Sequence, residues 1–350
     1  MSSSEFYNVK KSIQIFGSAL SPAEVEKQIG VSLPQFAKNA EGRRLKSWSN
    51  QELHLIGEQI GFLKKPQTPQ AVAIFVTKGG VLKTSLSLNI ARLAALHNIK
   101  TCVIGLDMQS DISEILGGGE SADEDENLEV ALEKVNRVRG LAQVFDGSAK
   151  LEDLIQSTNL PCLKFIPETP ELVALDQSLM NKNRREYWLK ENVVEVLKKD
   201  FDLILMDCSP NWNRLITNAL IASDLLISPV ECKINNFRNL KVFRALIAEF
   251  QREMHKPLAH VFVPTKYSAS RKLSTDIFRW YAEQLPNCIQ TPIKESIIGE
   301  EACALHLSTP EFQGASEAAT EMRIILQSIF KNFSLEKRPI LDSSRDSAYS

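Results

Sequence analysis

The apolar run Ala71-Val72-Ala73-Ile74-Phe75-Val76 passes directly into Thr77-Lys78-Gly79-Gly80-Val81-Leu82-Lys83-Thr84-Ser85 and then into the periodic segment Leu86 to Leu96. A buried strand that turns through glycines into a helix opened by Lys-Thr restricts the possible folds more than any other stretch. Backbone N–H groups of such a turn and of the helix N-terminus converge on one spot and can cradle phosphate. Similar apolar runs recur at Thr101 to Ile104, Leu163 to Ile166, Phe201 to Met206, Leu225 to Ser228 and His260 to Val263. Helical periodicity lies between most of them, as in Phe237 to Phe250. This alternation predicts βαβ units, and so an α/β domain with a mainly parallel sheet flanked by helices.

A chain of 350 residues has room for a second unit, and the sequence places a boundary. Lys64-Lys65-Pro66-Gln67-Thr68-Pro69-Gln70 carries two prolines and no large apolar residue. The expected division is 1–66 as a small N-terminal domain, 67–335 as the α/β domain and 336–350 as a polar tail. In the first unit Ser21-Pro22 opens a helix that Gly30 ends, and a second helix is expected from Ser32 with Leu33, Phe36 and Ala37 inward. Helix, turn, helix is a DNA-reading pattern. The basic, aromatic stretch Arg43-Arg44-Leu45-Lys46-Ser47-Trp48 then suggests a wing, and Ser49-Asn50-Gln51-Glu52 a further capped helix. The whole reads as winged-helix-like, with Arg43, Arg44 and Lys46 as candidate DNA contacts.

Charge adds little: 41 Lys and Arg against 43 Asp and Glu leave a formal −2, so any nucleic-acid contact must come from a local basic patch. The six cysteines stand without CxxC pairs, which predicts reduced thiols of a cytoplasmic protein. No apolar run reaches the ~18 residues of a membrane span. Glu120 to Glu129 reads as a solvated acidic loop.

The chemistry is expected beyond the carboxyl ends of the strands. Lys83 would face the β/γ-phosphates and Thr84 would ligate Mg2+. The general expression GxxxxGK[ST] nevertheless fails, because Thr77 and Leu82 stand where it has glycine. Two later acids complete the pattern. Asp207 ends the strand Phe201 to Met206, where a carboxylate meets the Mg2+ water shell, and Asp107 follows Thr101 to Ile104.

Lys78-Gly79-Gly80-Val81-Leu82-Lys83-Thr84 resembles the deviant Walker A motif, KGGxxK[ST], of the ParA/MinD ATPases. Leu82 points to their larger partition members, which carry an N-terminal helix-turn-helix domain and a bulky residue there. Leu106-Asp107-Met108-Gln109 is similar to the family's DxDPQ segment, with Gly105 in place of its first acid and Met108 in place of its proline. Asp207-Cys208-Ser209-Pro210 is similar to its Walker B, and Ile227 to Glu231 to its IPV strand end. The resemblance covers Ala71 to about Phe330. It implies a P-loop NTPase that binds ATP/ADP and Mg2+ through Lys78 to Ser85 and Asp207, with Lys78, Lys83 and Asp107 as catalytic residues. It further implies a homodimer in which Lys78 reaches the partner's nucleotide, a ParB-like partner that stimulates weak hydrolysis, and nucleoid-associated DNA segregation. Non-specific DNA would meet Arg271 and Lys294, and the N-terminal domain would repress its own operator.

Two rival readings remain. The amphipathic Met322 to Phe330 could target a membrane as in MinD, although a helix packed back on the sheet, with no membrane partner, is expected. A DNA-binding regulator with a degenerate nucleotide site is the other.

Overall fold

The computed structural model describes residues 6–30, 35–38, 44–107, 111–117 and 138–334. Arg43, Met108 and Gln109, the acidic stretch Glu120 to Glu129 and the polar tail lie outside them.

The N-terminal part runs β1 (Phe6–Asn8), α1 (Val9–Ile15), α2 (Pro22–Ile29), β2 (Gln35–Lys38), β3 (Arg44–Ser49) and α3 (Asn50–Ile60). Helix α2 starts and stops where its residues dictate. Glu24 accepts the Ser21 N–H at 2.7 Å in a capping box, Pro22 fills the first turn, and Gly30 closes the helix at φ 67°. Ser49 and Glu52 form a capping box at the start of α3. The helix expected from Ser32 does not form in the described residues, and Gln35–Lys38 is a strand instead. Its spacing of Leu33, Phe36 and Ala37 spans too few residues to impose a period. Pairing with β3, Phe36 opposite Lys46, satisfies the backbone that a helix would otherwise satisfy. Helices α1 and α2 are therefore followed by an antiparallel hairpin, and β1 pairs on the other side of β3.

The main sheet is assembled from β4 (Gln70–Ile74), β5 (Thr101–Leu106), β6 (Gln156–Ser157), β7 (Leu163–Ile166), β8 (Leu203–Cys208), β9 (Leu225–Glu231) and β10 (Ala259–Thr265). Their order is β10-β9-β4-β8-β5-β7-β6, and only the short edge pair β6–β7 is antiparallel. Each apolar run picked out in the sequence as a strand is one. Ala73, Ile104 and Met206 face one side, whereas Ile74, Val103 and Leu205 face the other, as alternation along a strand requires. Because both faces are covered by helices, the strands read as nearly continuous apolar runs. Helix α4 (Lys83–Leu96) follows β4 and is buried along almost its whole length.

The last α-helix among the described residues, Glu317–Lys331, packs on the same face as α4 through Ile325, Leu326 and Ile329, all 0% exposed. Burying each contributes about 1.5–3 kcal/mol. Among the described residues, no helix is long and apolar enough to cross a membrane.

The N-terminal part shares this core. Ile15, Trp48, Leu53 and Ile56, all fully buried, belong to one cluster with Leu96 of α4 and Ile325. Gly57 lets α3 approach the carbonyl of Leu96 closer than any side chain would permit. Beside this contact His97 donates from Nδ1 to the Leu93 carbonyl at 2.6 Å and accepts the Phe62 N–H at Nε2, 3.0 Å away. Burial pushes its pKa down to about 4, so the ring is neutral. Deeper still, Arg92 of α4 grips Glu311 with Nε and Nη2 at 2.7 and 2.8 Å. Tyr7 of β1 donates to the same carboxylate at 2.8 Å. Burial opposes the charge on Glu311, yet the Arg92 guanidinium and the Ser308 hydroxyl hold its pKa below the ordinary value. The described N-terminal residues thus join the sheet through a packed interface, from which Tyr7 reaches a buried ion pair.

Candidate functional site

Strand β4 ends at the sheet centre, and the loop that follows curls over its carboxyl end. Gly80 takes φ 70°, and Leu82, the residue before α4, takes φ 71°. A leucine in the left-handed region costs about 1–2 kcal/mol, strain that the surrounding loop must hold. Lys83 is only 7% exposed, and its ammonium donates back to the Lys78 carbonyl at 3.2 Å. That contact places a buried cation beside the backbone of the loop.

Asp207 lies next to the start of α4 because β8 adjoins β4. Thr84 donates to its Oδ2 at 3.0 Å and Ser87 to its Oδ1 at 2.6 Å. The carboxyl is 1% exposed, and burial raises its pKa to about 6 against the lowering pull of Ser87, Thr84 and Lys83. Ser87 was missed in the sequence. It sits one turn beyond Thr84 on the same helix face, which is the signal that could have found it. A hydroxyl and a carboxylate side by side, with no thiolate or imidazole among them, suit a hard oxygen-seeking cation such as Mg2+. Asp107 follows β5 directly and lies close enough to Asp207 to raise its pKa.

Lys78 does not point to the Lys83–Asp207 pair. Its ammonium is held by Glu231 at the end of β9, which also accepts Lys266 at 2.9 Å. Burial would raise the Glu231 pKa, but hydrogen bonds from Lys78 and Lys266 outweigh it and lower it.

The candidate DNA contacts fall into two groups. Arg44 and Lys46 lie on β3 of the hairpin. Arg271 precedes the helix Lys272–Gln284, is 65% exposed and sits 3.8 Å from Glu295. Lys294 is already engaged, at 2.6 Å from Glu317 and 2.5 Å from Glu321, and their hydrogen bonds raise its pKa.

One acid escaped the sequence reading altogether. Glu168, just beyond β7, is 5% exposed and bonded to Ser113 through both the Ser113 hydroxyl and its N–H, the latter at 3.1 Å. Pro167-Glu168-Thr169-Pro170 reads in sequence as an ordinary polar turn.

A glycine loop, a buried lysine and a hydroxyl–carboxylate pair at the carboxyl end of a parallel sheet define a P-loop NTPase. The profile of the AAA domain family matches residues 69–260, more than half of the chain. The cell division protein PomZ of Myxococcus xanthus is 28% identical over 246 residues, covering 69% of this chain and 72% of that one. The chromosome partitioning protein ParA of the same organism is 26% identical over 162 residues, covering 46% and 52%. Among solved structures, a putative plasmid partition protein from Borrelia burgdorferi bound to AMPPNP superposes with a TM-score of 0.60 at 19% identity, covering 75% and 99%. The chain belongs to the AAA domain family and is a ParA/MinD-type ATPase.

Proposed function

We propose that the chain is a partition ATPase, a switch in which ATP and Mg2+ join two subunits and the dimer binds DNA until hydrolysis releases it. The observation that carries this reading is the cluster of Lys83, Thr84 and Asp207 under a loop whose extra lysine, Lys78, lies outside the cluster.

The loop amides and Lys83 bind and orient the phosphates. Thr84 and Asp207 would hold the metal, which would supply positive charge to neutralise the phosphates. Asp107 orients the attacking water. Lys78 acts on the nucleotide of the other subunit, for which it must leave Glu231. Lys266 then remains as that carboxylate's partner, so the exchange strands no buried charge.

The DNA role divides between two surfaces. Arg271, the more exposed of the two sheet-domain candidates, supplies sequence-indifferent phosphate contact, doubled in a dimer. Lys294 joins it only by giving up Glu317 and Glu321. The helix pair α1–α2 with the β2–β3 hairpin is the candidate operator reader, in which Arg44 and Lys46 contact phosphate. A ParB-like partner stimulates hydrolysis, and the protein works on the nucleoid in the cytoplasm. The membrane-targeting alternative is disfavoured because the apolar face of Glu317–Lys331 is spent on the sheet.

The test is Lys78→Ala in analytical ultracentrifugation. Wild type is expected to dimerise with ATP, whereas the variant stays monomeric and keeps nucleotide affinity within about threefold, a change of only ~0.7 kcal/mol. A normal ATP dimer in Lys78→Ala contradicts the exchange across the interface.

A further inference from the structure

Three buried side-chain polar atoms among the described residues lack a hydrogen-bond partner: Trp48 Nε1, Glu168 Oε1 and Thr169 Oγ1. Leaving such an atom bare costs about 1–3 kcal/mol, so each calls for an account. Two of the three are consecutive, just past the carboxyl end of β7, and one of these is an acid.

Glu168 is fixed by one oxygen only. Its Oε2 takes both the Ser113 N–H and the Ser113 hydroxyl at the first turn of α5 (Asp111–Gly117), while the Glu168 N–H donates to Ser113 Oγ at 2.9 Å. Oε1 is left bare and lies against Gly105 of β5. A Cβ at Gly105 would overlap the Glu168 carboxyl group, Oε1 included. The carboxyl therefore fills the space into which a side chain at 105 would project.

That space adjoins the metal-holding pair. Gly105 stands in register with Asp207 across β5–β8. Register partners on neighbouring parallel strands, about 4.8 Å apart, point to the same face. Gly105 is also the position at which the DxDPQ pattern has an acid. The acid missing from β5 is thus replaced in space by one delivered from β7. Burial first, then the charges of Asp207 and Asp107, raise the Glu168 pKa to about 8. Crowding of carboxylates of this kind is relieved by a divalent cation.

The geometry points to Glu168 as a further acid of the Mg2+ site, its Oε1 serving the water shell of the cation held by Thr84 and Asp207. This rests on the Mg2+–nucleotide reading above and assigns a new residue to it. The role is a supporting one: Glu168 touches neither phosphate nor attacking water, and it acts by holding metal-bound water. The packing also makes the acid transferable. Removing the Glu168 side chain frees the volume that Asp at 105 needs.

The experiment is isothermal titration of Mg2+ into the full-length protein with saturating ADP, alongside ADP binding in EDTA. Glu168→Gln keeps the shape of the side chain and can still engage Ser113. It is expected to weaken Mg2+ about 10-fold, at the low end of the 10–100-fold typical of outer-shell carboxylates, and to leave metal-free ADP affinity unchanged. Glu168→Ala should do the same, and Gly105→Asp combined with Glu168→Ala should recover to within about threefold of wild type. Unchanged Mg2+ affinity in Glu168→Gln overturns the inference. So does a double variant that melts like wild type yet regains nothing. Wild type that binds ADP with no dependence on Mg2+ would instead overturn the metal reading itself.

Discussion

Lys83→Ala is expected to weaken ATP binding by at least about 100-fold, since a charge-assisted contact to phosphate in a largely desolvated site contributes on the order of 3 kcal/mol. Lys83 is 7% exposed, and its ammonium donates to the Lys78 carbonyl at 3.2 Å beside the loop amides, where nucleotide phosphate is the ligand that its charge fits. The remaining binding groups are backbone amides and hydroxyls, which orient an anion without neutralising it. Calorimetric titration of Mg2+–ATP into the folded variant measures this directly. An affinity equal to wild type would remove the phosphate site from Lys83 and with it the P-loop chemistry.

Arg92→Ala should destabilise the protein by about 3–5 kcal/mol, the range for breaking a buried ion pair by deleting one partner. Arg92 is 3% exposed and Glu311 0%, so the abandoned carboxylate cannot reach water. Tyr7 and Ser308 would still donate to it, but neither carries charge. Replacing both residues with apolar side chains of similar volume, Arg92→Met with Glu311→Leu, should restore most of the loss, because the penalty lies in the unpaired charge rather than in the missing pair. Urea unfolding of the two variants separates these cases. A loss below about 1 kcal/mol for Arg92→Ala would mean that the carboxylate is solvated after all. The same network ties β1 to the helix that starts at Lys83, so the described residues of the N-terminal part are docked on the sheet domain. The two proposed DNA activities are therefore better separated by side-chain substitution than by deleting that segment, which would strip the face occupied by Ile15, Trp48 and Ile56.

The sheet was legible because its strands are buried on both faces. Runs such as Leu203 to Met206 and Leu225 to Ile227 carry no polar alternation that could be confused with a half-exposed helix. The caps at Ser21 and Ser49 were legible for a local reason, each having a glutamate three residues on. Residues 35–38 were misread because Phe36 and Ala37 fit a helix face and a strand equally well over so short a window. What decided their conformation was pairing with β3, a contact that sequence spacing does not encode. Strand β6 is two residues long and had no pattern to offer.

The site divided in the same way. Lys83, Thr84 and Asp207 were read from strand ends and are brought together by the sheet. Ser87 and Glu168 were not, because each matters through a neighbour distant in sequence: Asp207 for one, the empty side-chain position at Gly105 for the other. The resting partner of Lys78 was also invisible, since Glu231 reaches it only through the β4–β9 pairing.

The central claim, that nucleotide state governs DNA binding, is tested most directly by mobility shift on a random-sequence duplex with ATP, with ADP and with a non-hydrolysable ATP analogue. A shift is expected with the analogue that ADP does not support, falling by at least about 10-fold in affinity between 50 and 200 mM salt as phosphate contacts are screened. Equal binding in all three nucleotide states, or none in any, would contradict it.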